Sequence, residues 1–182
     1  MCKWLGVSRV PLREALQILQ TQGIVTSTPN RGSYFAGFDS SETAVMLEIR
    51  IGVERTAFIR VLRLALEDLT ILHRLDAQLD DLQGAVCTDD RFIYSQADLA
   101  FHEQVVELSC SPMLTAVWRS LPRSVLFFML QEPSPAIDYL EAIKEHEHLL
   151  ALMHAGSIDD LHQGIHILRN VSVSDAVLDA AH

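Results

Sequence analysis

Asp98 and His102 stand four residues apart, so on a helix they share one face. A carboxylate and an imidazole so placed can both reach one divalent cation. Taken alone, the same spacing is as often a solvated pair. His146 follows His102 by 44 residues, and antiparallel packing of the helices that carry them would bring it opposite. Oxygen and nitrogen ligands of this kind suit zinc, nickel or manganese without choosing among them. Glu145 and Glu147 flank His146 and either orient it or face water. Arg50 can clamp a carboxylate through two parallel hydrogen bonds. Its alternative is an exposed charge paired with Glu54 one turn on.

A different chemistry stands near the start. Arg9 and Arg13 are one helical turn apart, Ser8 precedes them, and Arg31 and Gly32 lie at a turn. Arginine pairs with guanine edges or clamps phosphate, and serine donates to phosphate beside a helix N-terminus. The charge divides accordingly. Residues 1–37 hold Lys3, Arg9, Arg13 and Arg31 against Glu14, a net of +3, whereas the chain as a whole carries −10. A basic module on an acidic body is the arrangement of a phosphate-binding unit joined to something else.

The elements that must position these groups follow from periodicity and punctuation. Ser8 caps a helix over about 10–21, with Pro11 in its first turn and Leu12, Ala15, Leu16 and Leu19 as the apolar stripe. Gly23 ends it. Residues 24–28 and 33–35 read as strands around the turn Pro29-Asn30-Arg31-Gly32. Beyond Gly37 the pattern is helical throughout: about 40–65, 67–83, 89–109, 112–130, 135–154 and 157–179. Asp89-Asp90, Ser111-Pro112, Pro133-Ser134-Pro135 and Gly156-Ser157 are the boundaries. The fold class is mainly α, a helix-and-hairpin unit that resembles a partial winged helix-turn-helix (1–38), followed by an antiparallel six-helix bundle (39–182). Short connections between long amphipathic helices carry that reading.

At 182 residues with 49% hydrophobic and 21% charged content the chain is ordinary globular material. No apolar run approaches the roughly 20 residues of a membrane span, and no signal-peptide pattern is present, so the reading is a cytoplasmic protein with no membrane. Cys2, Cys87 and Cys110 are odd in number and unpaired in spacing, so they are expected to be buried or idle thiols.

The run Leu5-Gly6-Val7-Ser8-Arg9-Val10-Pro11-Leu12-Arg13-Glu14-Ala15-Leu16, continued by Leu19 to Val25 and by Pro29 to Tyr34, closely resembles the recognition-helix and wing signature of the GntR family of bacterial regulators. The resemblance implies that Ser8, Arg9, Arg13, Arg31 and Gly32 contact operator DNA. Family members carry one further helix and most of another ahead of this point, so the winged helix reads as partial. Residues 40–170 resemble the helical FCD-type ligand-binding domain of the FadR-like branch. Asp98-Leu99-Ala100-Phe101-His102 and Glu145-His146-Glu147-His148-Leu149-Leu150 carry that likeness.

In metal-binding members of that branch an aspartate and three histidines hold the ion. The first three map onto Asp98, His102 and His146. The fourth position falls on Leu168, and His166 lies two residues early, about 200° away on an ideal helix. His148, His154 and His162 read as surface residues. The metal helps hold a small organic acid, for which Arg50 is the effector-binding candidate and Phe101, Leu126, Phe127 and Met129 the apolar wall or plain core. The function so implied is a ligand-responsive, DNA-binding transcription regulator, a homodimer on operator DNA with a small carboxylate effector and a divalent metal. The alternatives are a truncated effector-binding protein without DNA binding and a metal-dependent hydrolase.

Overall fold

Helix α1 (Arg9–Thr21) begins directly after Ser8, and its apolar positions 12, 16 and 19 are half-buried while the rest of the helix is exposed. The computed structural model describes residues 6–21, 25–28, 32–35, 40–121 and 139–172. Strand β1 (Val25–Thr28) pairs antiparallel with β2 (Gly32–Phe35), from Val25 opposite Phe35 to Thr28 opposite Gly32. The Ser27 and Ser33 hydroxyls meet across the strands at 2.8 Å. Gly32 opens β2 at φ +94°, a left-handed conformation that disfavours any side chain. This unit, Met1–Asp39, is one of two compact units; the other is Ser40–His182.

The second unit is helical. Helix α2 (Ser40–Ala65) buries Val53, Ala57, Phe58, Val61, Leu62 and Ala65 at helical spacing. The larger of these side chains, Val, Leu and Phe, contribute roughly 1.5–3 kcal/mol each when fully buried. The second sequence-predicted helix starts later than expected. Asp68 accepts from the Thr70 N–H at 3.0 Å and caps a 3-10 turn (Leu69–Leu72), and only then does α3 (His73–Val86) run, through Gly84 rather than ending at it. Helix α4 (Arg91–Leu108) is capped by Asp90, whose Oδ1 accepts from Phe92 and Ile93 N–H at 2.8 and 3.3 Å. Helix α5 (Pro112–Trp118) has Ser111 as its cap and Pro112 in its first turn. Helices α6 (Tyr139–Ala155) and α7 (Ile158–Ser172) are separated by Gly156 at φ +74°.

The senses of these helices matter for the site. Arg74 reaches Gln104, and Gln83 and Asp76 reach Glu147 and His154, so α3 runs antiparallel to both α4 and α6. By contrast Tyr94 packs against Tyr139 with the rings tilted, while Asp98 and His102 meet His146, so α4 and α6 run in the same sense. The antiparallel packing expected between those two helices is therefore corrected. In an up-and-down bundle, alternate helices share a direction. Likewise Arg50, Glu54 and Arg60 meet Asp98, His102 and Ser109 in ascending order, so α2 and α4 share a sense.

Among the described residues no helix is long and apolar enough to cross a membrane. Cys87 and Cys110 are unpaired but exposed rather than buried. Leu126, Phe127 and Met129 fall outside the described residues, as do Trp4, Arg31 and Cys2.

Candidate metal centre

Three ligand atoms converge in the interior of the helical unit. Helix α4 supplies Asp98 and His102 from one face, and α6 supplies His146. His102 Nε2 and His146 Nε2 lie 3.2 Å apart. Asp98 Oδ1 is 3.4 Å from His146 Nε2 and 3.9 Å from His102 Nε2. All three residues are at most 6% exposed. Among the described residues this is the one group of His, Cys, Asp and Glu side chains whose ligand atoms gather within 4.8 Å.

The donor set fits a divalent ion. With metal–ligand bonds of about 2.1 Å, two tetrahedral ligands stand about 3.4 Å apart, and the three separations bracket that value. Proton accounting points the same way. His146 Nδ1 lies 2.7 Å from the Ala142 carbonyl, which can only accept, so Nδ1 carries a proton. Its Nε2 then faces a carboxylate oxygen and a second imidazole nitrogen, both electron-rich. Something positive belongs between them, a proton or a cation.

The charges sort themselves by that logic. Burial pushes the His146 imidazole down, but the hydrogen bond and charge of Asp98 outweigh it, and the pKa rises above the ordinary 6.5. Burial pushes the Asp98 carboxyl up, but His146, His102 and Arg50 hold it well below the usual carboxylate range. For His102 burial dominates over the attraction of Glu54, and its pKa falls to about 4. The surroundings thus favour the charged forms of His146 and Asp98 and the neutral form of His102.

A second rank of charge stands behind the trio. Arg50 Nε binds Glu54 Oε1 at 2.6 Å, and its Nη2 lies 3.4 Å from Asp98 Oδ2. Glu54 Oε1 is 3.3 Å from His102 Nδ1, a charged neighbour for a ring nitrogen that forms no hydrogen bond among the described residues. Arg50 and Glu54 are 5% and 3% exposed, so the helix pair is real but not the exposed one weighed from spacing. Burial would push the Arg50 guanidinium down, yet Glu54 and Asp98 raise it. Apolar rings close the site. Phe101 meets His146 edge-on at 5.0 Å between centroids, Phe58 and Trp118 stand 6.3 and 6.5 Å from the His102 ring, and the Arg50 guanidinium lies 6.0 Å over Trp118.

Sequence reasoning missed the burial of Glu54 and the nearness of Trp118. The first was legible. Positions 46, 50, 53, 54, 57, 58, 61 and 62 form one helical stripe, and the apolar part of it runs straight into Arg50 and Glu54. Trp118 gives no such signal. Glu147 is exposed and binds Gln83 instead of His146, and the half-buried Glu145 is raised to about 7 by burial. The Ala142 carbonyl, rather than either glutamate, holds His146 Nδ1. His148 and His154 are exposed, the latter 2.9 Å from Asp76. His162 is half-buried, with its Nδ1 3.1 Å from Arg55 Nη2, and stands outside the trio. The side chains of His166 and Leu168 lie outside the described residues.

In the N-terminal unit Ser8, Arg9 and Arg13 are all exposed at one end of α1, and Gly32 is exposed at the start of β2. Arg9 and Arg13 line one open groove together with Gln17, Ser27 and Ser33.

Residues 45–167 match the family described as FCD domain, and residues 1–35 match the one described as bacterial regulatory proteins, gntR family. Similar proteins include the gluconate operon transcriptional repressor of Bacillus subtilis (strain 168), 26% identical over 69% of this chain and 50% of that one. The Nta operon transcriptional regulator of Aminobacter aminovorans is 28% identical over 68% of this chain and 57% of that one. The chain thus spans about half the length of these relatives. The fold is similar to that of a putative GntR transcriptional regulator from Rhodococcus sp. RHA1, with a TM-score of 0.78 at 23% identity, covering 98% of this chain and 84% of that one. E. coli McbR/YncC superposes with a TM-score of 0.75 at 20% identity over 100% of this chain and 85% of that one.

Proposed function

The chain belongs to the gntR family of bacterial regulatory proteins and carries an FCD domain, and from that premise we propose that it is a ligand-responsive transcription regulator whose helical unit senses a small organic acid at a metal-dependent site. Its relatives are regulators rather than enzymes, so a metal-dependent hydrolase is not the reading. The observation that carries the proposal is the convergence of Asp98 Oδ1, His102 Nε2 and His146 Nε2 in the buried interior, beside the Arg50 guanidinium.

Asp98, His102 and His146 would hold a zinc, nickel or manganese ion, with His166 as a candidate fourth ligand. The ion supplies a positive centre able to take an oxyanion. The residues around it do the rest. Asp98 stays ionised because its neighbours are cationic. The rings of Phe58, Phe101 and Trp118 exclude water and strengthen every charge interaction inside. Arg50 stands beside Asp98 and would offer its guanidinium to the acid's carboxylate.

On the DNA side, α1 would enter the major groove with Arg9 and Arg13 reaching base edges or phosphate, Ser8 contacting phosphate, and Arg31 and Gly32 at the wing. The assembly would be a cytoplasmic homodimer on a two-fold operator. Acid binding alters operator affinity only through unequal affinity for two conformations. The relatives named for gluconate and Nta operons support an organic-acid effector in kind.

The test is twofold. Protein prepared with zinc, nickel or manganese is analysed for metal content, then titrated against DNA from upstream of its own gene in a mobility-shift assay, with and without citrate, malate and gluconate. Metal near one equivalent per chain and an acid-dependent shift are expected. Protein that takes up none of the three ions sinks the metal reading, and protein that ignores the DNA sinks the regulator reading.

A further inference from the structure

We propose that Glu54 is a positioning residue for the metal centre, fixing which nitrogen of His102 is free to bind a divalent cation; this rests on the metal reading given above. Two pairs at i,i+4 spacing, Arg50/Glu54 on α2 and Asp98/His102 on α4, are set side by side because the two helices run in the same sense. The rungs Arg50–Asp98 at 3.4 Å and Glu54–His102 at 3.3 Å close a four-membered ring of buried groups. Were the helices opposed, Glu54 would face Asp98, carboxylate against carboxylate, and Arg50 would face an imidazole instead of an acid.

The proton positions follow from this ring. A cation held by the trio would sit between Asp98 Oδ1, His102 Nε2 and His146 Nε2, while His146 Nδ1 donates to the Ala142 carbonyl. His102 Nε2 must then present its lone pair. A neutral imidazole has one proton, so that proton sits on Nδ1, the nitrogen beside Glu54 Oε1. Among the described residues the His102 ring also faces the rings of Phe58, Phe101 and Trp118, none of which accepts a hydrogen bond in its plane. Glu54 is held in turn by Arg50 Nε at 2.6 Å. A carboxylate behind a ligating imidazole fixes its tautomer and raises its basicity, and losing such a group typically weakens metal binding about 10–100-fold.

The experiment uses the full chain and zinc alone. Affinity is measured by competition with a chromophoric chelator for wild type, Glu54→Gln and His102→Ala, with circular dichroism as the check on folding. The His102 ring is also observed directly in metal-free wild type by its two 15N shifts. Expected are an Nδ1-protonated His102 in wild type, a drop of about 10–100-fold in zinc affinity for Glu54→Gln at unchanged helicity, and a larger drop for His102→Ala. Wild type that binds zinc with Glu54→Gln binding as tightly overturns the role of Glu54 and leaves the metal centre standing. Failure of wild type to bind zinc overturns both. An Nε2-protonated His102 in wild type overturns the positioning role even where Glu54→Gln does not fold.

Discussion

His102 Nε2 and His146 Nε2 face each other at 3.2 Å inside a shell of aromatic rings. Two imidazole nitrogens do not approach so closely without a proton or a cation between them. His146→Ala removes one of the three ligand atoms, and Asp98→Asn removes the negative charge of another. Both variants should lose more than about 100-fold in zinc affinity, beyond the loss typical of an outer-shell change. Calorimetric titration of chelator-stripped protein decides it, and a His146→Ala variant that binds like wild type would remove His146 from the site.

The metal-free protein should lose stability as pH rises above 6.5 and through the raised pKa of His146. His146 has a raised folded pKa, so the stability it contributes is fully present below its unfolded value of 6.5 and is lost as pH climbs through the raised one. Asp98 has a depressed folded pKa and loses its contribution only when pH falls through that lower value. The ion pair is therefore intact between the two. Zinc-loaded protein should show the opposite trend over this range, because protons compete with metal for His146. Thermal melts with chelator and with zinc check both signs, and a metal-free melting temperature flat across this range would refute the assignment.

Ser95 is 1% exposed, and its hydroxyl has no hydrogen-bond partner among the described residues. Removing a buried polar group that already lacks a partner costs little, and alanine is the better helix former. Ser95→Ala should leave the melting temperature unchanged or raise it. A loss above about 1 kcal/mol in urea unfolding would mean that the hydroxyl has a partner such as a bound water.

Asp90→Ala should destabilise the helical unit by about 0.5–2 kcal/mol, because α4 loses the acceptor for two N–H groups at its start. Since α4 carries both Asp98 and His102, zinc affinity should fall modestly while stoichiometry holds. Urea unfolding combined with zinc titration tests the coupling; unchanged unfolding would show that Asp90 contributes nothing as a cap.

Arg13→Ala should weaken DNA binding nearly uniformly across sequences if it clamps phosphate, reducing the slope of log K against log salt by about one. If it reads a base, the loss is confined to one operator position and amounts to about 1–3 kcal/mol. Mobility shifts over a salt series separate the two, and unchanged affinity at every salt concentration would take Arg13 out of the interface.

Much of this was legible in the chain itself. Ser111-Pro112 and Asp90 named the starts of α5 and α4 because caps and first-turn proline act within a few residues. Gly32 marked the wing turn because its φ of +94° disfavours any residue with a side chain. The Asp98/His102 pair was visible because helical spacing is local. The sequence by itself thus determined the elements, the family signature and which side chains share a face. Tertiary structure alone decided that α4 and α6 run in the same sense, that the Arg50/Glu54 pair is buried behind His102, and that Ala142 rather than a glutamate holds His146. The reason is range. Capping and periodicity act over one or two helical turns. The burial that sets an ordinary i,i+4 ion pair behind a candidate metal centre depends on which helix lies across from it, and no local pattern encodes that neighbour.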